Sequence, residues 1–453
     1  MGRTRKYTGF LINAGAAIIS LLPNVASADL SYVLQVADDL RTIDIRLHVD
    51  AERVIPVGDV RLDRLKGFRH CDGSEFPKRE VRRGIPKGAT CVEYEYRIPR
   101  TPEGRFRIDL PSGVATANPA EFLFLHPREA ASVKLEGRVP VSHPWPVTGD
   151  KLVIPRSPRS STPQIVLGAF HRLTIEGLKK PAAYIGPKEN AAKIQSWLNE
   201  LLWGVAGGAQ FPNPNAQIMV FAVPPRGESP VPFGHVIRNQ GESVRLFVDA
   251  DRSIDDLRYD WTVAHELSHL KLPYVSGSGR WVSEGFASYY QNVIQARLGH
   301  YSEQEAWQRM TRSFGRADEV GRDMTPNSAT RESFWKSRLM IYWSGAAFAL
   351  LADIELRSHG LSLDEALRRL TLPNPRSVTP LKLFEMLDDE ISVPIFVPLY
   401  ENHADSLGMP DTNQAFYNLG IETSTGTVRL VDDRKFSHIR KKIMAPSQAT
   451  LAQ

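Results

Sequence analysis

The sequence predicts an α+β multidomain protein, with a β-sandwich in front, a mixed middle and a helical rear. Apolar and polar residues alternate in short runs from Ser31 to about Leu152, broken by Pro and Gly, and beyond Glu189 the apolar spacing turns helical. With 453 residues, 42% hydrophobic and 24% charged, the chain is long and apolar enough for two or three domains with a core in each. That composition excludes wholesale disorder and collagen-like or low-complexity chains.

Residues 1–28 read as an export signal. Arg3, Arg5 and Lys6 precede an apolar run from Phe10 to Leu22, a turn at Pro23-Asn24 and the small-x-small sequence Ala26-Ser27-Ala28. Interrupted by Asn13, the run falls short of the ~20 apolar residues that span a bilayer, so cleavage is expected over an uncleaved anchor. No later stretch reads as a membrane span, and the mature chain is expected to start at Asp29 and to be periplasmic or secreted. Lys and Arg total 56 against 51 Asp and Glu, but three of those cations lie in the leader, and the rest carries +2. So balanced a body lacks the basic face that nucleic acid requires. Two cysteines exclude a disulfide scaffold and cysteine-rich metal cages. In an oxidising compartment Cys71 and Cys91, 20 positions apart, are expected to join and contribute roughly 3 kcal/mol; two buried free thiols are the other reading.

The elements follow in order. Thr42-Ile43-Asp44-Ile45-Arg46-Leu47-His48-Val49 and Arg105-Phe106-Arg107-Ile108-Asp109-Leu110 read as strands with one buried face, and residues 29–155 are assigned to the sandwich. Six prolines between Pro140 and Pro163 suit an exposed connector. In the next unit, residues 156–300, the spacing of Ala192, Ile194, Trp197, Leu198, Leu201 and Leu202 predicts a helix over 189–205, and 217–223 and 243–249 read as strands. Helices are predicted over 254–270, 282–298, 302–314, 333–358, 363–370 and 381–391, with 301–422 as a helical domain. Residues 423–453 are a short extension. Within it 426–444 reads as a strand and a basic helix, with Arg434, Lys435, Arg440, Lys441 and Lys442 on a solvated face.

The chemistry is concentrated at His265-Glu266-Leu267-Ser268-His269. Histidines at i and i+4 share a helix face, so both imidazoles reach one ion, while Glu266, turned by roughly 100°, stands beside the water such an ion activates. Fourteen residues separate His269 from Glu284, which lies in Trp281-Val282-Ser283-Glu284-Gly285-Phe286-Ala287-Ser288-Tyr289-Tyr290; this opens a second helix, with Ser283 expected at its cap and Glu284 in its first turn. Catalytic zinc takes three protein ligands and an open fourth position, which His265, His269 and Glu284 would supply.

These residues, with Tyr342-Trp343-Ser344-Gly345-Ala346-Ala347-Phe348-Ala349-Leu350-Leu351 and the run on to Arg357, resemble the glycyl aminopeptidase family of zinc peptidases, relatives of the alanyl aminopeptidases and thermolysin. The resemblance is strong from Tyr259 to Arg369 and loose elsewhere between Ser31 and Ile421. It implies a β-sandwich ahead of a thermolysin-like zinc peptidase domain and a helical domain, one catalytic zinc ion, and a peptide or protein substrate. It also gives Tyr342 the part of steadying the oxyanion; spacing alone does not choose it over Tyr289 or Tyr290. Three departures stand out. Ser344 replaces the lysine of the family's Tyr-x-Lys-Gly. The glutamate-bearing element that holds a substrate's amino terminus is missing from Phe233 to Ser243, where Glu242 is the one acidic residue for that part. No segment after Ile421 is long enough for the PDZ domain that many members carry. The expected function is a zinc metallopeptidase, aminopeptidase-like, with an endopeptidase or a non-catalytic interaction module as alternatives.

Overall fold

The computed structural model describes residues 30–49, 54–100, 109–125, 130–155, 162–207, 209, 211–238, 241–370, 377–424 and 426–446. The leader, and most of the strand expected at 105–110, lie outside the described residues. Period-2 alternation builds the front. Strands β1 (Leu30–Val36) and β2 (Thr42–Val49) bury every second residue, among them Tyr32, Leu34, Ile43, Ile45 and Leu47, and pair antiparallel. The other strands of this part are β3 (Leu65–His70), β4 (Cys91–Arg97), β5 (Val114–Ala117), β6 (Ala131–Glu136), β7 (Val141–Ser142), β8 (Val147–Thr148), β9 (Lys151–Ile154) and β10 (Ile165–Gly168). Seven form one sheet, ordered β3-β4-β2-β1-β6-β9-β8, and a three-stranded sheet, β5-β10-β7, packs on it. Ala115, Ala117, Ile165 and Leu167 of the smaller sheet share a core with Tyr32, Tyr96, Phe122 and Trp145, which makes a sandwich. The disulfide between Cys71 and Cys91 is present, with Cα atoms 5.5 Å apart, and closes the loop holding the single turn α1 (Lys78–Val81).

The proline-rich stretch is not an exposed connector. It contains β7, β8 and β9, and Trp145 between Pro144 and Pro146 is buried in the front core; Pro140, Pro144, Pro146 and Pro155 flank these short strands, and Pro158 lies outside the described residues. The pairing of β10 with β5 and β7 carries the front part to Gly168, beyond residue 155.

A second sheet contains β11 (His171–Leu173), β12 (Ala182–Ile185), β13 (Gln217–Ala222), β14 (Phe233–Ile237) and β15 (Ser243–Val248), ordered β11-β12-β13-β15-β14. The three central strands run parallel, and helix α2 (Ala191–Ala206) makes the crossover that a parallel pair requires. Their apolar runs are continuous because both faces are covered. Tyr184, Ile218, Val220, Val244 and Leu246 face the helices, while Ile185, Met219, Phe221 and Phe247 face β10 of the sandwich.

Helices α3 (Ile254–Tyr259), α4 (Thr262–Ser268), α5 (Arg280–Arg297), α6 (Glu303–Gly321), α7 (Pro326–Ala329) and α8 (Phe334–Ser358) complete the part that carries the site. The single helix expected over 254–270 is broken at Asp260, whose backbone is extended and whose Oδ1 accepts the amide of Thr262 at 2.7 Å. The Gln295 side chain donates to the carbonyls of Arg258 and Asp260 freed by that break. α8 is long and apolar enough to cross a membrane, the one such helix among the described residues, but most of it is buried in the protein. Its closest approach to α5 is at two glycines. A Cβ on Gly285 would stand 2.2 Å from the Gly345 Cα, and one on Gly345 would stand 2.0 Å from the Trp281 carbonyl oxygen. Short helices Phe396–His403 and Asn413–Leu419 carry no long apolar period and are absent from the sequence-based expectation. The tail forms the expected strand and helix, as a hairpin of Ile421–Ser424 with Thr427–Leu430 and a helix at Ser437–Met444. Arg440, however, is not on a solvated face: it is buried, pairs with Glu303 and Asp432, and donates to the carbonyls of Leu419, Gly420 and Val431.

Candidate active site

One turn of α4 separates His265 from His269, whose ring belongs to the 3-10 turn that ends the helix; both side chains are buried. α5 runs alongside and delivers Glu284. Its Oε2 lies 3.3 Å from His265 Nε2 and 3.5 Å from His269 Nε2. Atoms bound ~2.0–2.1 Å from one tetrahedral ion are ~3.3–3.4 Å apart, so the three donors fit a zinc ion. Among the described residues this is the cluster of His, Cys, Asp and Glu side chains able to hold a metal.

The second nitrogen of each imidazole is held. His265 Nδ1 lies 2.9 Å from Gln291 Oε1, an acceptor, which places the ring proton on Nδ1 and leaves the Nε2 lone pair for a metal. His269 Nδ1 lies 3.2 Å from Ser283 Oγ. Arg238 donates to that hydroxyl at 2.5 Å and to the His269 and Pro273 carbonyls at 3.0 and 3.2 Å, tying the end of α4 to α5. Ser283 therefore does not cap its helix. α5 starts at Arg280 with Gly279 as its cap, which puts Ser283 inside the helix against His269 and Glu284 beyond the first turn. Gln291 was legible in principle, lying two turns after Glu284 on the same helix face, but a lone glutamine carries no motif.

Electrostatics follow from burial. Glu266 is pushed up to about 7, chiefly by burial, with the Glu284 charge adding to it. Burial brings His269 down to about 4. Glu284, although burial opposes its charge, is held well below the carboxylate range by His269 and His265. Burial and the charges of Glu284 and Glu266 raise Tyr342 above the ordinary phenol range, so it keeps its proton.

Tyr342 stacks on His265, ring centroids 5.6 Å apart at 10°. Tyr289 and Tyr290 are elsewhere: Tyr289 donates to Asp353 at 2.7 Å, and Tyr290 lies under the Lys271 ammonium at 4.6 Å. Ser344 is buried and returns its hydroxyl to the Met340 carbonyl at 2.6 Å, a place too enclosed for a solvated lysine. Edge strand β14 closes over Glu266 so tightly that a Cβ on Gly234 would meet the Glu266 Cγ at 2.4 Å. A cavity of about 850 Å³ runs along β14, lined by Glu266, His269, Glu284 and Tyr342 and, from the sandwich, Asn118, Thr162 and Gln164. Glu242 does not line it. It lines another cavity with Lys271 and Asp364, next to the start of β15 and beyond the end of the edge strand. No residue of β14 is acidic.

Two helices, a metal-fitting triad between them and a tyrosine over one imidazole are the decisive geometry. Residues 274–344 match the model of the M61 glycyl aminopeptidase family. The M61 match carries Glu284 and Tyr342 and begins after His269, and it is the family that the sequence motifs resemble. An aminopeptidase N family protein from Idiomarina loihiensis has a similar fold, with a TM-score of 0.55 at 12% identity over 86% of this chain and 78% of that one. An M1 zinc metallopeptidase from Deinococcus radiodurans is matched with a TM-score of 0.46 and 14% identity over 84% of this chain and 94% of that one. No curated protein matches the sequence.

Proposed function

We propose that this chain is an exported zinc metallopeptidase that hydrolyses peptide bonds. The observation that carries the reading is the convergence of His265, His269 and Glu284 at the spacing of zinc ligands, with Glu266 and Tyr342 on the same cavity. Zinc held there would polarise the scissile carbonyl and acidify a water. Glu266, pushed up to about 7, is suited to take the proton of the attacking water and pass it to the leaving amine. Tyr342, held protonated, is a donor for the carbonyl oxygen as charge develops on it. The Cys71–Cys91 bridge and the leader-like residues 1–28 support export, since disulfides persist in oxidising compartments.

Glu266→Gln tests the mechanism. The variant is expected to keep stoichiometric zinc by elemental analysis and to lose peptide hydrolysis by at least a hundredfold; a wild-type rate would overturn the assignment. Absence of zinc from the unmutated protein would favour a non-catalytic interaction module. A specific observation favours a second reading of the substrate end: neither β14 nor Glu242 brings a carboxylate to the cavity for a free amino terminus. Cleavage of one peptide set with free and with blocked amino termini decides between aminopeptidase and endopeptidase.

A further inference from the structure

Arginines stand along the walls of the cleft, and several of them have no counter-charge among the described residues. Arg245 lies on β15 opposite His235, on the sheet face turned toward the sandwich, in a strand whose other residues from Val244 to Val248 are apolar. Among the described residues its Nε is buried without a hydrogen-bond partner, and its guanidinium lies over the Phe247 ring at 5.6 Å. Arg245 lines the 850 Å³ cavity that Glu266 and Glu284 also line. Arg280, over the Phe334 ring at 4.5 Å, lines the same cavity. Tyr342 and Phe334 also line a second cavity of about 700 Å³, where Arg312, Arg316 and Arg338 face one Glu305, itself paired to Arg309 at 3.0 Å. Among the described residues no carboxylate lies within 4 Å of Arg245, Arg280, Arg312, Arg316 or Arg338. Arg280, Arg312, Arg316 and Arg338 are exposed to water, and Arg245 alone of the five is half-buried.

A half-buried guanidinium without an anion keeps its desolvation cost until a ligand supplies the charge. A carboxylate does so with two parallel charge-assisted bonds, whereas its amide analogue leaves a charged donor unpaired. We propose that the cleft selects peptides bearing a carboxylate beside the bond to be cut, and that Arg245 is the residue that receives it. The carboxylate has two sources, an Asp or Glu side chain or a C-terminal carboxylate, and one chemistry serves both. The inference rests on the peptidase reading, which is tested separately.

Binding, measured by calorimetry on zinc-loaded Glu266→Gln, keeps the two apart. Blocked peptides differing by Glu against Gln, and by a C-terminal acid against its amide, are compared. At least one acid is expected to bind tenfold or more tightly than its neutral partner, weakening with salt, and the acid-to-neutral ratio is expected to approach one when Arg245→Gln is added. Because the ratio is taken within one protein, a fraction of misfolded variant cancels from it. Equal affinities in both pairs, or a ratio unmoved by Arg245→Gln, overturn the proposal. An acidic peptide that binds with this preference, but that the wild type cuts neither with a free nor with a blocked amino terminus, supports it and counts against the peptidase reading.

Discussion

At the scale of single residues, the site depends on groups that touch no substrate. Gln291 fixes the proton of His265 on Nδ1, and Ser283 with Arg238 orients His269. Removing such a partner typically costs tenfold to a hundredfold in metal affinity. Gln291→Ala is therefore expected to weaken zinc binding by that factor in a chelator competition, with the circular dichroism of the fold unchanged; undiminished affinity would remove Gln291 from the site. The clustering of His265, His269 and Glu284 was legible because an i, i+4 histidine pair followed, after fourteen intervening residues, by a glutamate has few uses besides a metal. Ser283 was misread as a cap because a serine two residues after a tryptophan looks the same whether the helix begins there or three residues earlier. Arg245 was overlooked although it carried a signal, being the one charged residue in the run Ser243 to Val248.

At the scale of elements, the catalytic half is held in register by close helix packing. Gly285 follows Glu284, and Gly345 lies one turn after Tyr342, so the glycine contact of α5 with α8 sets how far the ligand stands from the tyrosine. Gly345→Ala would drive a methyl into the Trp281 carbonyl, 2.0 Å away. Overpacking of this kind costs about 1–3 kcal/mol. Thermal unfolding is expected to move down accordingly, with kcat falling as Tyr342 shifts; an unchanged melting temperature would show that the helices part freely. The long helices were readable from their apolar period and from Ser302 and Ser333 at their starts. The break between α3 and α4 was not, because Asp260 competes with the helix through a hydrogen bond to its own chain two residues on, which leaves the apolar spacing intact.

At the scale of the molecule, the sandwich, the second sheet and the helical rear are joined by two continuous cores, and α+β organisation was visible in the change of period. The front boundary was not, because prolines mark turns within a sheet as well as links between domains. A buried ionic cluster ties the rear together. Asp364 meets Arg297 at 2.6 Å and Lys271 at 3.0 Å. Burial opposes the charge of Asp364, but its two cations hold it well below the ordinary carboxylate range; burial pulls Lys271 down as well, so Arg297 is the firmer cation. A depressed folded pKa stabilises the protein above the unfolded value, ~3.9, and that contribution fades as pH falls toward the folded one. Asp364→Asn leaves Arg297 buried without its charge and is expected to cost about 3–5 kcal/mol at pH 7. In urea unfolding the gap between variant and wild type should narrow below about pH 4; a gap independent of pH would show that charge is not what Asp364 supplies.

The glycine crossing also decides where the cleft can yield. Where Gly285 meets Gly345 backbone lies against backbone, with no side chain at either position to change rotamer, and a slide of either helix there would run main chain into main chain. The wall that carries Glu284 and Tyr342 is thus the anvil of the site. Accommodation of differently shaped substrates falls to the opposite wall, where β14 has a neighbour on one side only and Asn118, Thr162 and Gln164 reach in from a separate sheet system.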